Sequence, residues 1–127
     1  MSEIPSALRF AATHEWARLE RDGTITVGIS KHAQGMLGEI VAIEFPELGQ
    51  IFDAGDQAAM VATIKTASDI YSPVSGEIAA INRELERNPT ELNESPYEQW
   101  LFKVHPDDAV EIDSLMSAAD YARVVGE

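Results

Sequence analysis

The 127-residue chain predicts a mainly β fold, a sandwich or flattened barrel carrying short helices. Two observations predict it. Short runs rich in β-branched residues recur along the chain, separated by Gly, Pro and Asp turns. Helical spacing is confined to brief segments, too few to cover a parallel sheet. The length suits one domain over 1–127, able to bury about two thirds of the surface that its unfolded form exposes.

Glu15-Trp16-Ala17-Arg18-Leu19 and Thr24-Ile25-Thr26-Val27-Gly28-Ile29 flank Arg21-Asp22-Gly23, and Ile25, Val27 and Ile29 alternate as a half-buried strand requires. This predicts a hairpin. Ser30 can cap a short helix whose Ala33, Met36 and Leu37 share a face, with Gly38 ending it. Glu39 to Phe45 is a β-branched strand stopped by Pro46, and Gly49, Gly55 and Asp56 mark the turns that follow.

A strand from Ala58 to Ile64 then enters a turn around Lys65, and Ile70-Tyr71-Ser72 leaves it. Gly76 to Ile81 makes the next strand, so a hairpin unit occupies about 58–81. Asn82 to Ser95 is polar and broken by Pro89, which predicts a surface excursion with a turn of helix, and Trp100 to Val104 returns as a strand. Ser117 with Asp120 forms a capping pattern for a closing helix over about 117–125, with Tyr121, Val124 and Val125 as its apolar face.

Composition excludes several classes of function. The net charge of -13 is spread along the chain, so nucleic acid would be repelled and proteins with basic docking surfaces are the expected partners. No apolar run is long enough to span a bilayer. Met1-Ser2-Glu3-Ile4-Pro5 lacks the order of a secretion signal or a transit peptide, which predicts a cytoplasmic protein. With no cysteine, the chain offers no thiol nucleophile, and any sulfur chemistry must be imported. His14, His32 and His105 are too scattered for a metal site, and there is no nucleophile elbow or phosphate-binding glycine loop. The chain is therefore expected to be no enzyme.

Of three lysines, Lys31 and Lys103 fall at a helix start and within a strand. Lys65 falls at a hairpin tip. Its charged amine prefers water there, and Thr66, Ser68 and Asp69 supply turn-forming groups. Such an amine is open to an enzyme that attaches a cofactor through an amide bond. A long tethered arm would then visit several active sites at high effective concentration.

The run from Lys65 to Glu77 resembles the lipoylation hairpin of glycine cleavage system H-proteins. So do His14-Glu15-Trp16, Thr26-Val27-Gly28-Ile29 with His32-Ala33-Gln34, Leu37-Gly38-Glu39, and Ser95-Pro96-Tyr97 followed by Trp100-Leu101-Phe102-Lys103. These matches run in family order from about Leu8 to Val125. The resemblance implies a hybrid barrel-sandwich of the lipoyl/biotinyl-like kind, with lipoate in amide linkage to Lys65. It implies a shuttle carrying the aminomethyl group of glycine from the P-protein to the T-protein, reoxidised by the L-protein and modified by a lipoate ligase or a lipoyl/octanoyl transferase. It further implies a sheltering cleft for the arm at Thr13, Glu15, His32 and Asp69, with Gly76 and Pro73 shaping the hairpin.

The chain departs from the family pattern at Ala62 and Thr63, where H-proteins commonly carry an acidic residue and a serine. This keeps open an H-like protein that relays octanoyl or lipoyl groups to other complexes. Biotinyl or dehydrogenase-complex domains would place the lysine between methionines or in an Asp-Lys-Ala turn, whereas here it stands in Ile64-Lys65-Thr66. An unmodified interaction module would leave Lys65 as ordinary surface.

Overall fold

The computed structural model describes residues 7–126, so the opening segment read above for targeting lies outside the described residues. Two antiparallel sheets enclose the main core. The larger has seven strands in the order β10 (Met116–Ser117), β1 (Arg9–Phe10), β2 (Glu15–Leu19), β3 (Ile25–Ile29), β9 (Phe102–Pro106), β8 (Gly76–Ile81) and β5 (Ile51–Phe52). The smaller has β4 (Ala42–Glu44), β6 (Gln57–Ala62) and β7 (Ala67–Tyr71), with β6 central.

The expected β2–β3 hairpin forms, with Ala17 opposite Val27 and Leu19 opposite Ile25. β3 differs from its expected half-buried pattern, because all five of its residues are buried. The cause is cover on both faces. Ile25, Val27 and Ile29 enter the main core with Val61, Ile70, Ile78 and Val104. On the opposite face, the Trp16 ring lies where a side chain on Gly28 would be, with Cζ2 2.6 Å from the site of a Cβ. Trp16 belongs to a second cluster with Leu8, Phe10, Ala118 and Tyr121. Its indole N–H donates to the Pro96 carbonyl oxygen at 2.9 Å, satisfying the one polar atom of a wholly buried ring.

Helix α1 (Lys31–Leu37) begins as expected, the Ser30 Oγ accepting the Ala33 N–H at 3.1 Å. Ala33 is buried and Leu37 packs on the core, but Met36, expected on the same face, is 60% exposed. The excursion after β8 holds two short helices, α2 (Arg83–Arg87) and α3 (Glu91–Glu94), whose Leu85 and Leu92 are fully buried in the main core. The Asn93 amide group ties α3 to Ile40, accepting its N–H at 2.8 Å and donating to its carbonyl at 2.9 Å.

After β9, a 3₁₀ turn over Ala109–Ser114 leads into β10, which pairs with β1. Helix α4 (Ala118–Val125) follows, capped by the Ser117 Oγ on the Asp120 N–H at 3.2 Å and ended by Gly126 in the left-handed conformation. Tyr121 is fully buried and Val125 packs on the second cluster, while Val124, expected on the same face, points to solvent.

Candidate functional site

The site is built on the hairpin of β6 and β7, whose last pair is Ala62 opposite Ala67. Strand β6 stops there, two residues before the expected end at Ile64. The reason lies in Thr63. Its N–H donates to the Thr66 carbonyl at 2.8 Å, closing the loop, and its Oγ1 accepts the N–H groups of Lys65 at 3.3 Å and Thr66 at 3.2 Å. A side-chain hydroxyl therefore takes over from the ladder at the tip. Ile64 and Lys65 project beyond it, Ile64 with 87% of its surface exposed. None of the four ion pairs among the described residues involves Lys65.

Residues paired across an antiparallel sheet share a face. The face bearing Ala62 therefore presents the row Ala42, Ala62, Ala67 beside the tip and then the row Glu44, Met60, Asp69. Position 62 is thus one member of a smooth alanine strip, and the nearest acidic groups on its face stand one row away. Asp69 is exposed on this face, with its side chain free of the ladder that holds its backbone.

Thr13 and Glu15 meet the hairpin at its other end. Glu15 is 1% exposed, and its carboxylate accepts the Tyr71 N–H from β7 at 3.0 Å and the Thr13 hydroxyl. One side chain of the large sheet thereby fastens the strand that leads to Lys65. Burial raises the Glu15 pKa above the ordinary carboxylate range, an effect opposed by hydrogen bonds from Thr13, Tyr71 and its own backbone. Beside this junction lies a cleft of about 310 Å³ lined by Ala11, Thr13, Tyr71, Ser72, Pro73 and Leu115 among others.

His32, half-buried in the first turn of α1, stands with its ring 5.1 Å from the His14 ring. The structure thus brings Thr13, Glu15 and Tyr71 into direct contact, and sets His32 against His14, the residue before Glu15. Asp69 lies two residues before Tyr71 on the same strand. Sequence reading set His14 aside as a metal ligand and quoted it in a family motif, but gave it no role at the site. Its place is set by a left-handed backbone, φ 79°, and by a hydrogen bond between Nδ1 and the Tyr121 hydroxyl at 2.8 Å. Burial first, and His32 second, hold its pKa below the ordinary histidine value. The motif His14-Glu15-Trp16 was the signal available in the sequence, since strand alternation sends Glu15 and Trp16 to opposite faces and leaves His14 at the bend.

Gly76 makes the closest backbone approach. A Cβ there would run into the His105 carbonyl of β9 and lie 2.7 Å from Val104 Cγ1. Pro73 is buried beside the cleft.

The family described as Glycine cleavage H-protein matches residues 8–127. Glycine cleavage system H protein 2 of Pseudomonas putida is 54% identical over 127 residues, covering all of both chains. The protein of the same name from Pseudomonas aeruginosa is 53% identical over 125 residues, 98% of this chain and 97% of that one. The crystal structure of a glycine cleavage system H protein from Mycobacterium marinum superposes with a TM-score of 0.89 at 32% identity, covering 98% of this chain and 100% of that one. These matches run through both sheets, the Lys65 hairpin and helix α4, and the chain belongs to the glycine cleavage H-protein family.

Proposed function

We propose that the chain is the lipoyl-bearing carrier of glycine cleavage, a single carrier domain with Lys65 as its attachment residue. The observation that carries this reading is a lysine at the tip of a hairpin whose turn is held by the Thr63 hydroxyl, outside every ion pair of the described residues. An acyl-transfer enzyme can reach such an amine without unfolding anything around it.

The cleft fits an apolar arm. Ala11, Tyr71, Pro73 and Leu115 give it apolar walls, while Thr13 and Ser72 add hydroxyls. When attached, lipoate would supply a dithiolane able to take up the aminomethyl group of glycine. The chain's own residues would then orient and shelter. Thr13 stands at the cleft with Glu15 behind it, and Glu15 and Asp69 are suited to hold a protonated amine, with His32 close by. Exclusion of water would slow loss of the load. Decarboxylation of glycine, transfer of the one-carbon unit and reoxidation would belong to the P-, T- and L-proteins, and attachment to a lipoate ligase or lipoyl/octanoyl transferase.

The relay reading rests on the departures at Ala62 and Thr63. Thr63 retains the hydroxyl that a serine would present to the turn, and this supports the carrier over the relay. Intact-mass measurement after expression with lipoate should find one lipoyl adduct, mapped to Lys65 by peptide fragmentation and absent from Lys65→Arg. An adduct on Lys31 or Lys103 defeats the assignment. Glycine-bicarbonate exchange with a P-protein should require the adduct; a lipoylated chain that fails to support exchange would be a relay instead.

A further inference from the structure

Helix α4 reaches the site through one side chain. Tyr121 is fully buried, its ring stacked on Phe10 with centroids 4.3 Å apart and 5° between planes. Its hydroxyl lies 2.7 Å from Ser30 Oγ and 2.8 Å from His14 Nδ1. It therefore touches the residue before Glu15 and the residue that caps the helix bearing His32. The same two segments are joined directly by the Ser30 N–H donating to the His14 carbonyl at 2.9 Å.

One assignment of the protons accounts for both contacts, and we adopt it as part of the inference. Ser30 Oγ accepts the Ala33 N–H, and as a wholly buried hydroxyl it needs an acceptor for its own proton. In this assignment the Tyr121 oxygen is that acceptor. The Tyr121 proton would then go to His14 Nδ1, which would leave His14 neutral with its hydrogen on Nε2. Among the described residues His32 faces His14, and the charged side chains of α4, Asp120 and Arg123, pair with each other. We infer that Tyr121 is a positioning residue, whose buried hydroxyl holds the Glu15-bearing and His32-bearing segments in register by a chain running from the Ala33 N–H through Ser30 Oγ and Tyr121 to His14 Nδ1.

What the two segments would receive rests on the carrier reading; that they are held by Tyr121 does not. Tyr121→Phe keeps the ring that stacks on Phe10 and removes only the shared oxygen. In the unmodified chain, ring ¹⁵N NMR of the wild type should show His14 as a single Nε2–H tautomer, and Tyr121→Phe should show a mixture. Amide exchange at Ser30 should rise about fivefold, the size of one lost hydrogen bond. In the lipoylated, loaded carrier, release of the one-carbon unit to water should quicken by about the same factor. A folded Tyr121→Phe with the wild-type tautomer, exchange and release rate overturns the inference. If that variant does not fold, His14→Asn replaces it, since asparagine tolerates the left-handed backbone; unchanged Ser30 exchange and release there overturn the inference equally. A wild type that takes no lipoyl adduct defeats the carrier reading alone, because the tautomer and exchange measurements use the unmodified chain.

Discussion

Glu15 is placed under two opposed influences. Its burial favours the neutral acid, whereas the Tyr71 N–H and Thr13 hydroxyl favour the carboxylate, and burial is the larger. An acid whose folded pKa is raised holds its proton longer in the native state than in the unfolded chain. Stability from this residue is then full below the unfolded value near 4.5 and declines as pH rises through the raised folded value. Glu15→Gln keeps the shape and an acceptor for Tyr71 without the charge. The melting temperature of Glu15→Gln relative to wild type should therefore rise as pH goes from 4.5 towards neutral, measured by calorimetry at several pH values. A constant difference across that range would show that the carboxylate is not strained by burial. In the proposed site, the charge that weakens the fold is the one that would meet a protonated amine, a conflict of the kind functional positions carry.

At the scale of elements, the hairpin owes its position to β8, which continues the chain after Tyr71 and must lie close against β9. Gly76 opens β8 opposite Pro106, and its missing side chain lets the His105 carbonyl approach. Gly76→Ala has no flexible neighbour to yield, since the obstructing atom is backbone. It should destabilise the protein by about 2–3 kcal/mol, read from the denaturant midpoint at unchanged slope. Wild-type stability would show that β8 and β9 separate more readily than their pairing suggests. The β2–β3 hairpin, the Ser30 and Ser117 caps and the Lys65 turn were anticipated from the sequence. Each depends on residues near in sequence, so local chemistry suffices to reveal it. The two-residue strands β1, β5 and β10 had no such signature, because two residues have no period and exist as strands only through partners far along the chain. Leu85 and Leu92 were passed over in a polar stretch, although each is a buried anchor of a short helix. At the site, Lys65 was legible from its turn. The burial of Glu15 and the link from Tyr121 to His14 were not, since both join segments 56 and 107 residues apart.

Considered as a whole molecule, the chain is a small acidic body, and the attachment point proposed for it is one of its few cations. Acylation of Lys65 would remove that positive charge and make a net charge of -13 one unit more negative. The face beside the tip carries Glu44 and Asp69, flanking Met60 and next to the alanine row. A shuttle must meet several proteins in turn and leave each quickly, so fast association serves it better than tight binding. Charge of one sign gives that, steering a basic partner from beyond contact distance while adding little to the final complex. Screening shortens this reach to about 8 Å at physiological salt. Association rate constants of the lipoylated chain with its partner enzymes, measured by stopped flow, should therefore fall on the order of tenfold between low and about 0.5 M salt, with dissociation rates changing much less. Glu44→Gln should flatten that dependence without altering the melting curve, because Glu44 is an exposed edge-strand residue. Rates independent of salt would mean that partners recognise shape alone, and the acidity of the surface would then serve solubility.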